Sequence, residues 1–231
     1  TLNIGSTGVI NCAEFYPNGI VATGATGTGN LSLLSIASGG VFNIDSIADF
    51  RNASQTITGA GTFSLRGTGL MRIGSTLGVT ASGATGQIQT TTRSLSTSGR
   101  YSYESRSAQV TGDGIPSTIG ALIVRDTATT LTLSKTIRVT DSLRFNYGKL
   151  ILSTFDLNTS TVKNYKDTNY VVTNSTGALK IRNVANTDVV FPVGPSTSAY
   201  NPITLNNIGT PDTFAVKVAT GAPNGVAVSP R

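Results

Sequence analysis

ALIVRDTATTLTLSKTIRVTDSLRFNYGKLILSTFDLNTSTV, residues 121–162, carries the reading of the fold. Apolar and polar residues alternate along it, and it divides into about five short strands that start every eight to ten residues or so. Period-two alternation puts successive side chains on opposite faces of a strand, whereas apolar spacing of three and four, the mark of a helix, is nowhere sustained. Outside this stretch the same texture recurs. Candidate strands run over 31–34, 41–44, 63–65, 121–124, 130–133, 149–152, 170–173 and 214–218. They are rich in β-branched residues and most are bounded by Gly, Asn, Asp or Ser, which tolerate tight turns.

Self-similarity points to stacked units. TLNIGS at 1–6, VFNIDS at 41–46 and LMRIGS at 70–75 share an apolar residue, an Ile two places on and a small-polar turn. GTGNLSL at 27–33 and GAGTFSL at 59–65 precede the second and third. The expected unit is about 30 residues long, with Ile4, Ile44 and Ile73 stacked as one ladder inside. Short, regularly punctuated strands fit either a β-solenoid or a β-sandwich of hairpins. Hairpin turns of the Asn-Gly or Asp-Gly kind are few, at Asn18-Gly19, Asp113-Gly114 and Asn224-Gly225, which favours the solenoid. The fold expected is all-β: an elongated right-handed parallel β-solenoid over 1–182, then a strand-rich C-terminal cap, or the start of a β-sandwich, over 183–231. A β-sandwich throughout is the alternative. The boundary rests on Pro192, Pro195, Pro202 and Pro211, since proline is confined to sheet edges, bulges and turns.

Composition narrows the chemistry. The 231 residues include 26 Gly, 1 Cys and neither His nor Trp, and only 12% are charged, roughly half the usual share. Ser and Thr make up about a quarter of the chain, which suits a polar exterior without many charges. The net charge of +6 comes from dispersed residues, not from a basic run. Its one asymmetry lies in 51–106, where Arg51, Arg66, Arg72, Arg93, Arg100 and Arg106 face Glu104 alone. No stretch is long and apolar enough for a membrane helix and none has the plan of a signal peptide. A start at Thr1 suggests an excised part or processed product of a longer protein. Cys12 has no partner for a disulfide and no His to activate it, so it reads as a small buried side chain.

The run SGATGQIQTTTRSLSTSGRYSYESRSAQVTGDGIPSTIGALIVRDTATTLTLS at 82–134, with KLILSTFDLNT at 149–159, YVVTNSTGALKIRNV at 170–184 and FPVGPSTSAYNPITL at 191–205, resembles a recurrent region of long secreted surface proteins of Bacteroidota. Its most specific elements are Tyr101, Tyr103, Gln109, Thr111 and Gly112, followed by the turn from Pro116 to Ile119. The resemblance implies a parallel β-helix-like, adhesin-type array exported by the type IX secretion system, with an extracellular, cell-surface location. It implies a structural or adhesive role and brings no catalytic residues with it.

Chemistry-bearing patterns are sparse. Glycoside hydrolysis needs two carboxyls across the scissile bond. Asp45 with Asp49, Asp113 with Asp126, and Asp141 with Asp156 are the nearest pairs, and each reads as turn Asp. No His cluster and no calcium-loop spacing is present, and GATGTG at 24–29 lacks the Gly-Lys-Ser/Thr of a phosphate loop, so no catalytic, cofactor or metal residue is assigned. The Thr-x-Thr pairs at 130–132 and 159–161 are too few for an ice-binding array. Arg100, Tyr101, Tyr103 and Arg106 form the one constellation fit to meet a ligand: two tyrosines on one strand face, between two arginines. The two rings are read first as a cross-strand aromatic ladder that stiffens the stack, the alternative being a surface for stacking a glycan; nucleic acid is not expected there. The function expected is a non-catalytic stalk or spacer of a secreted bacterial cell-surface protein, part of a longer chain or filament, not membrane-spanning, whose partners are surface glycans or other surface proteins. The alternative is a carbohydrate-binding or polysaccharide-processing β-helix.

Overall fold

The computed structural model describes residues 2–4, 9–15 and 33–221, with side chains over 34–125 and 130–221. Every regular element among them is a strand. The first group comprises β1 (Leu2–Ile4), β2 (Val9–Phe15), β3 (Leu33–Ile36), β4 (Val41–Phe50), β5 (Thr56–Leu65), β6 (Leu70–Ile73), β7 (Ile88–Leu95), β8 (Arg100–Tyr103) and β9 (Gln109–Val110). Next come β10 (Thr118–Thr132), β11 (Ile137–Ile151), β12 (Leu157–Thr159), β13 (Val162–Lys163), β14 (Val171–Val172) and β15 (Leu179–Val184). The chain closes with β16 (Val189–Phe191), β17 (Val193–Gly194), β18 (Ile203–Leu205) and β19 (Asp212–Val216).

Parallel pairing between strands one turn apart makes a β-solenoid of about seven turns. One column shows its regularity: Phe15, Ala48, Met71, Tyr101, Leu122, Leu143 and Val162 are Cα partners on successive rungs. Two residues on, Phe50, Ile73, Tyr103, Val124 and Phe145 form a second column. Both columns are buried from Ala48 onward, and the residues between them, Asp49, Arg72, Ser102, Ile123 and Arg144, belong to the opposite face. Alternation along each strand therefore becomes a continuous apolar interior. Each fully buried Leu, Ile or Phe contributes about 1.5–3 kcal/mol there. At about 4.8 Å per rung, seven rungs rise about 30 Å.

A turn is shorter than the expected unit. Tyr101 to Leu122 and Leu122 to Leu143 are one turn each, whereas Met71 to Tyr101 is longer because the segment 74–87 enlarges a corner. The similar motifs are not equivalent rungs. Ile4 pairs with Ile36, Ile44 with Cys12 and Leu65, and Ile73 with Phe50 and Tyr103, so the three isoleucines stand on three different columns. Ile44 and Ile73 are buried as expected; the side chains of Ile4 and Cys12 lie outside the described residues. The strand expected at 121–124 and most of that expected at 130–133 belong to one strand, β10, which pairs with β11 on both sides of the register shifts that follow Val124 and Arg125.

At the C-terminal end the pairing direction reverses. β14 and β17 are still parallel, through Val171 and Val193, so the stack passes the boundary expected at 182. β19 then returns antiparallel along β15, with Leu179 opposite Val216 and Ile181 opposite Phe214, while β16 and β18 form an antiparallel pair. Thr173 and Val218 exchange two hydrogen bonds of 3.0 Å. This reversal covers the edge of β15, the unpaired edge being what invites another chain to add on.

Candidate functional site

Tyr101 and Tyr103 do share a face, but it is the inner one. Both are 0% exposed, and their hydroxyls donate to main-chain carbonyls, Tyr101 to Ser96 at 2.8 Å and Tyr103 to Thr111 at 2.7 Å. Burial pushes both phenols well above their ordinary pKa, and Tyr101 adds to the effect at Tyr103. Neither ring offers a surface to a sugar, so the glycan contact given as their alternative role is corrected and their role is structural. Arg100 and Arg106 are exposed; the Arg100 Nε donates to the Thr68 carbonyl at 3.1 Å, holding two rungs together.

The rest of that motif is equally structural. The Gln109 amide donates to the carbonyls of Ile73 (3.0 Å) and Ser75 (2.7 Å), and its oxygen accepts from the Ser105 N–H (3.3 Å). One rung earlier Gln87 does the same: it donates to Phe50 and Asn52 at 2.6 and 2.8 Å and accepts from Gly74 and Ser75 at 3.1 and 3.0 Å. At these corners the carbonyls already accept one main-chain N–H each, and the buried glutamine adds a second bond to them while giving the Ser75 and Ser105 N–H groups an acceptor, tying adjacent rungs together. Thr111 accepts from the Ser134 N–H at 2.9 Å, and Gly112 (φ 79°) lies where a Cβ would collide with the main chain of Val79.

Charged residues pair with one another on the outer surface. Asp49, 4% exposed, holds Arg51 at 2.8 Å and Arg72 at 3.4 Å; Arg72 reaches Glu104 at 3.8 Å, which lies 3.7 Å from Arg125. Asp45 grips Arg66 through two contacts of 2.7 Å, and this hydrogen bond holds the Asp45 carboxyl below its usual range. Asp45, Asp49 and Asp141 thus stand in strands, not in the turns expected of them, while Asp113 occupies a turn and Asp156 lies between the turn at 153–154 and β12. The side chain of Asp126 and the loop at 24–29 lie outside the described residues. Among the described residues no three of His, Cys, Asp and Glu gather as metal ligands, and no helix is long and apolar enough to cross a membrane.

A different place gathers mostly exposed polar and aromatic side chains along one shallow depression. An open cleft of about 590 Å³ is lined by Arg125, Phe145, Asn146, Tyr147, Asn164, Tyr165, Lys166 and Asn169. Small-ligand sites span about 300–1,000 Å³. Arg125 and Tyr147 are Cα partners on adjacent rungs, at the irregularity where β10 and β11 lose a residue of register. Such bulges re-aim side chains at a sheet's corner. On the next rung Asn164 turns the chain with φ 59°, and Lys166 and Asn169 exchange main-chain hydrogen bonds of 3.0 and 2.9 Å that fix the loop between them.

Its polar groups are unspent. The side chains of Asn146, Tyr147, Asn164, Tyr165, Lys166 and Asn169 make no hydrogen bond or ion pair among the described residues. Asn169 is only 5% exposed, yet its amide is without a partner. Tyr147 is 52% exposed. Arg125 has only the 3.7 Å approach of Glu104, longer than a hydrogen bond. The signal in the sequence is a repeated Asn-Tyr pair, at 146–147 and again at 164–165, which the turns bring to one corner.

Set beside known proteins, the chain matches no protein-family model, no curated protein sequence and no solved structure.

Proposed function

We propose that this chain is a structural segment of a secreted bacterial cell-surface protein, of the type IX-exported kind its sequence resembles, serving as a stiff, non-catalytic spacer in an adhesive stalk. The observation that carries this reading is the unbroken pair of apolar columns from Ala48 to Val162 and from Phe50 to Phe145. Main-chain hydrogen bonds between rungs run along the stacking axis, so each turn adds length and is braced by its neighbours. The segment contributes about 30 Å of reach.

Two measurements test this. Antibodies against the chain should label intact cells of the source bacterium as strongly as permeabilised ones. The folded chain, incubated with neutral and acidic polysaccharides, should release no reducing ends above a heat-unfolded control. Label confined to permeabilised cells overturns the surface placement, and turnover overturns the non-catalytic role. A second reading, carbohydrate binding on the side of the stack, is favoured by the unspent amides and phenols of the 125–169 cleft. Among the described residues no Asp or Glu lines that cleft, so they do not supply the two carboxyls of glycoside hydrolysis there.

A further inference from the structure

We propose that the cleft between Arg125 and Asn169 binds an anionic polysaccharide, with the acidic group of one sugar held by Arg125 and Lys166 and pyranose rings laid against Tyr147 and Tyr165. This inference rests on the carbohydrate reading above and adds the charge of the ligand.

Three features of the site select that chemistry. The first is charge: among the described residues two cations line the cleft and no carboxylate does. Asp167 follows Lys166 in the chain but is not part of the lining, and Glu104 stands 3.7 Å from Arg125 without a hydrogen bond to it. A guanidinium held only by a 3.7 Å ion pair to Glu104, with no hydrogen bond, can still present N–H groups to a carboxylate or a sulfate ester, both of which accept two parallel hydrogen bonds. The second is aromatic surface: Tyr147 is half exposed and Tyr165 partly buried against the core, a fixed ring beside an open one. Rings with an apolar face and a polar tip suit a ligand that has both C–H faces and hydroxyls. The third is the set of amides. Asn146, Asn164 and Asn169 each offer donors and an acceptor, the pattern that sugar hydroxyls complement. Asn169 adds to them, because its residue is only 5% exposed and its amide makes no internal bond, so the amide atoms that reach solvent do so with little freedom and are free to bond a ligand.

Single-stranded nucleic acid would also use rings and cations, but its binding depends on a track of cations following many phosphates. Two cations facing one short cleft do not make such a track, and the arginines further along, Arg72 and Arg51, are tied to Asp49.

Calorimetry on the full chain tests the proposal with five probes: oligogalacturonate, the same oligomer fully methyl-esterified, a sulfated galactan oligomer, its desulfated form, and a single-stranded oligonucleotide. Oligogalacturonate or the sulfated galactan, or both, should bind at least tenfold more tightly than the neutral counterpart, and the stronger of the two identifies the acid group. That binding should weaken as salt is raised and fall about tenfold in each of Lys166→Ala and Tyr147→Ala. Arg106→Ala, outside the cleft, should leave it unchanged. Circular dichroism on each variant confirms that the fold is retained. Equal affinity for the charged and neutral oligomers overturns the inference while leaving carbohydrate binding standing. Binding to none of the four oligosaccharides overturns both, and preference for the oligonucleotide assigns the cleft to nucleic acid instead.

Discussion

Two corners of the solenoid use similar residues to opposite ends. At residues 101–112 the tyrosine hydroxyls and the Gln109 amide are all bonded to the main chain and hidden from water. At residues 146–169 tyrosines and amides of comparable chemistry are left unbonded along an open cleft. Residue type therefore does not separate a structural tyrosine from a ligand-binding one; the presence of an internal acceptor does. The first corner satisfies the polar groups that bending a sheet leaves behind, and the second keeps polar groups in reserve.

The largest effect should come from exchanging the two roles. Tyr103→Ala empties a fully buried aromatic site in the column between Ile73 and Val124 and removes the bond to Thr111, so about 3–5 kcal/mol of stability should be lost. Tyr147→Ala should change stability by no more than about 0.5 kcal/mol, as an exposed side chain without internal bonds. Urea unfolding of both variants decides it. Comparable losses would mean that Tyr147 is a structural residue and that the contrast between the corners is false.

Gln87→Leu comes next. Leucine keeps much of the volume but leaves the Ser75 N–H without its acceptor and takes a second partner from the Gly74 N–H and from the Phe50 and Asn52 carbonyls, which keep their main-chain bonds, so the cost should be about 1–3 kcal/mol. Gln89→Leu, two residues away, breaks only a bond to the Gly86 carbonyl and should cost less than about 1 kcal/mol. If the two variants melt together, water replaces the Gln87 amide, and corner glutamines do not brace the stack.

The sequence pattern and the structure part company for identifiable reasons. Alternation and the scarcity of hairpin turns were enough for stacked parallel strands, because a buried column demands an apolar residue at every second position whatever the corners do. Turn length was not legible. Corners absorb insertions such as 74–87, so self-similarity at about 30 residues paired motifs that stand on different columns, as Ile44 and Ile73 do. Which way Tyr101 and Tyr103 point was also hidden, since period two says that they share a face without saying which. The Arg-rich stretch 51–106 reads as an unbalanced charge in sequence, yet Asp45 and Asp49, just upstream, take up Arg51, Arg66 and Arg72. The cleft is hidden in the sequence because its residues come from three rungs, and only the Asn-Tyr pairs at 146 and 164 hint that one turn separates two of them.

Asp156 separates burial from bonding as the cause of the contrast, for it is fully bonded but only partly buried. Its carboxylate holds Lys180 at 2.7 Å and accepts from the Ala178 N–H at 2.9 Å, joining two rungs while its side chain stays 32% exposed. Partial burial raises its pKa, and the bonds to Lys180 and Ala178 with the Lys180 charge outweigh that, so the net shift is downward. A depressed carboxyl contributes stability that is complete above its unfolded value, about 3.9, and is lost as pH falls through the lower folded value. Asp156→Asn keeps an acceptor for Ala178 and loses the charge, so at pH 7 it should cost only about 0.2–1 kcal/mol after solvent screening. At a pH well below 3.9 both proteins present a neutral side chain to Lys180, and the difference should shrink toward zero. A cost several times larger at pH 7 would make hydrogen bonding alone, without burial, sufficient to fix a corner. In that case exposure ceases to mark which corners of this solenoid are free to meet a ligand.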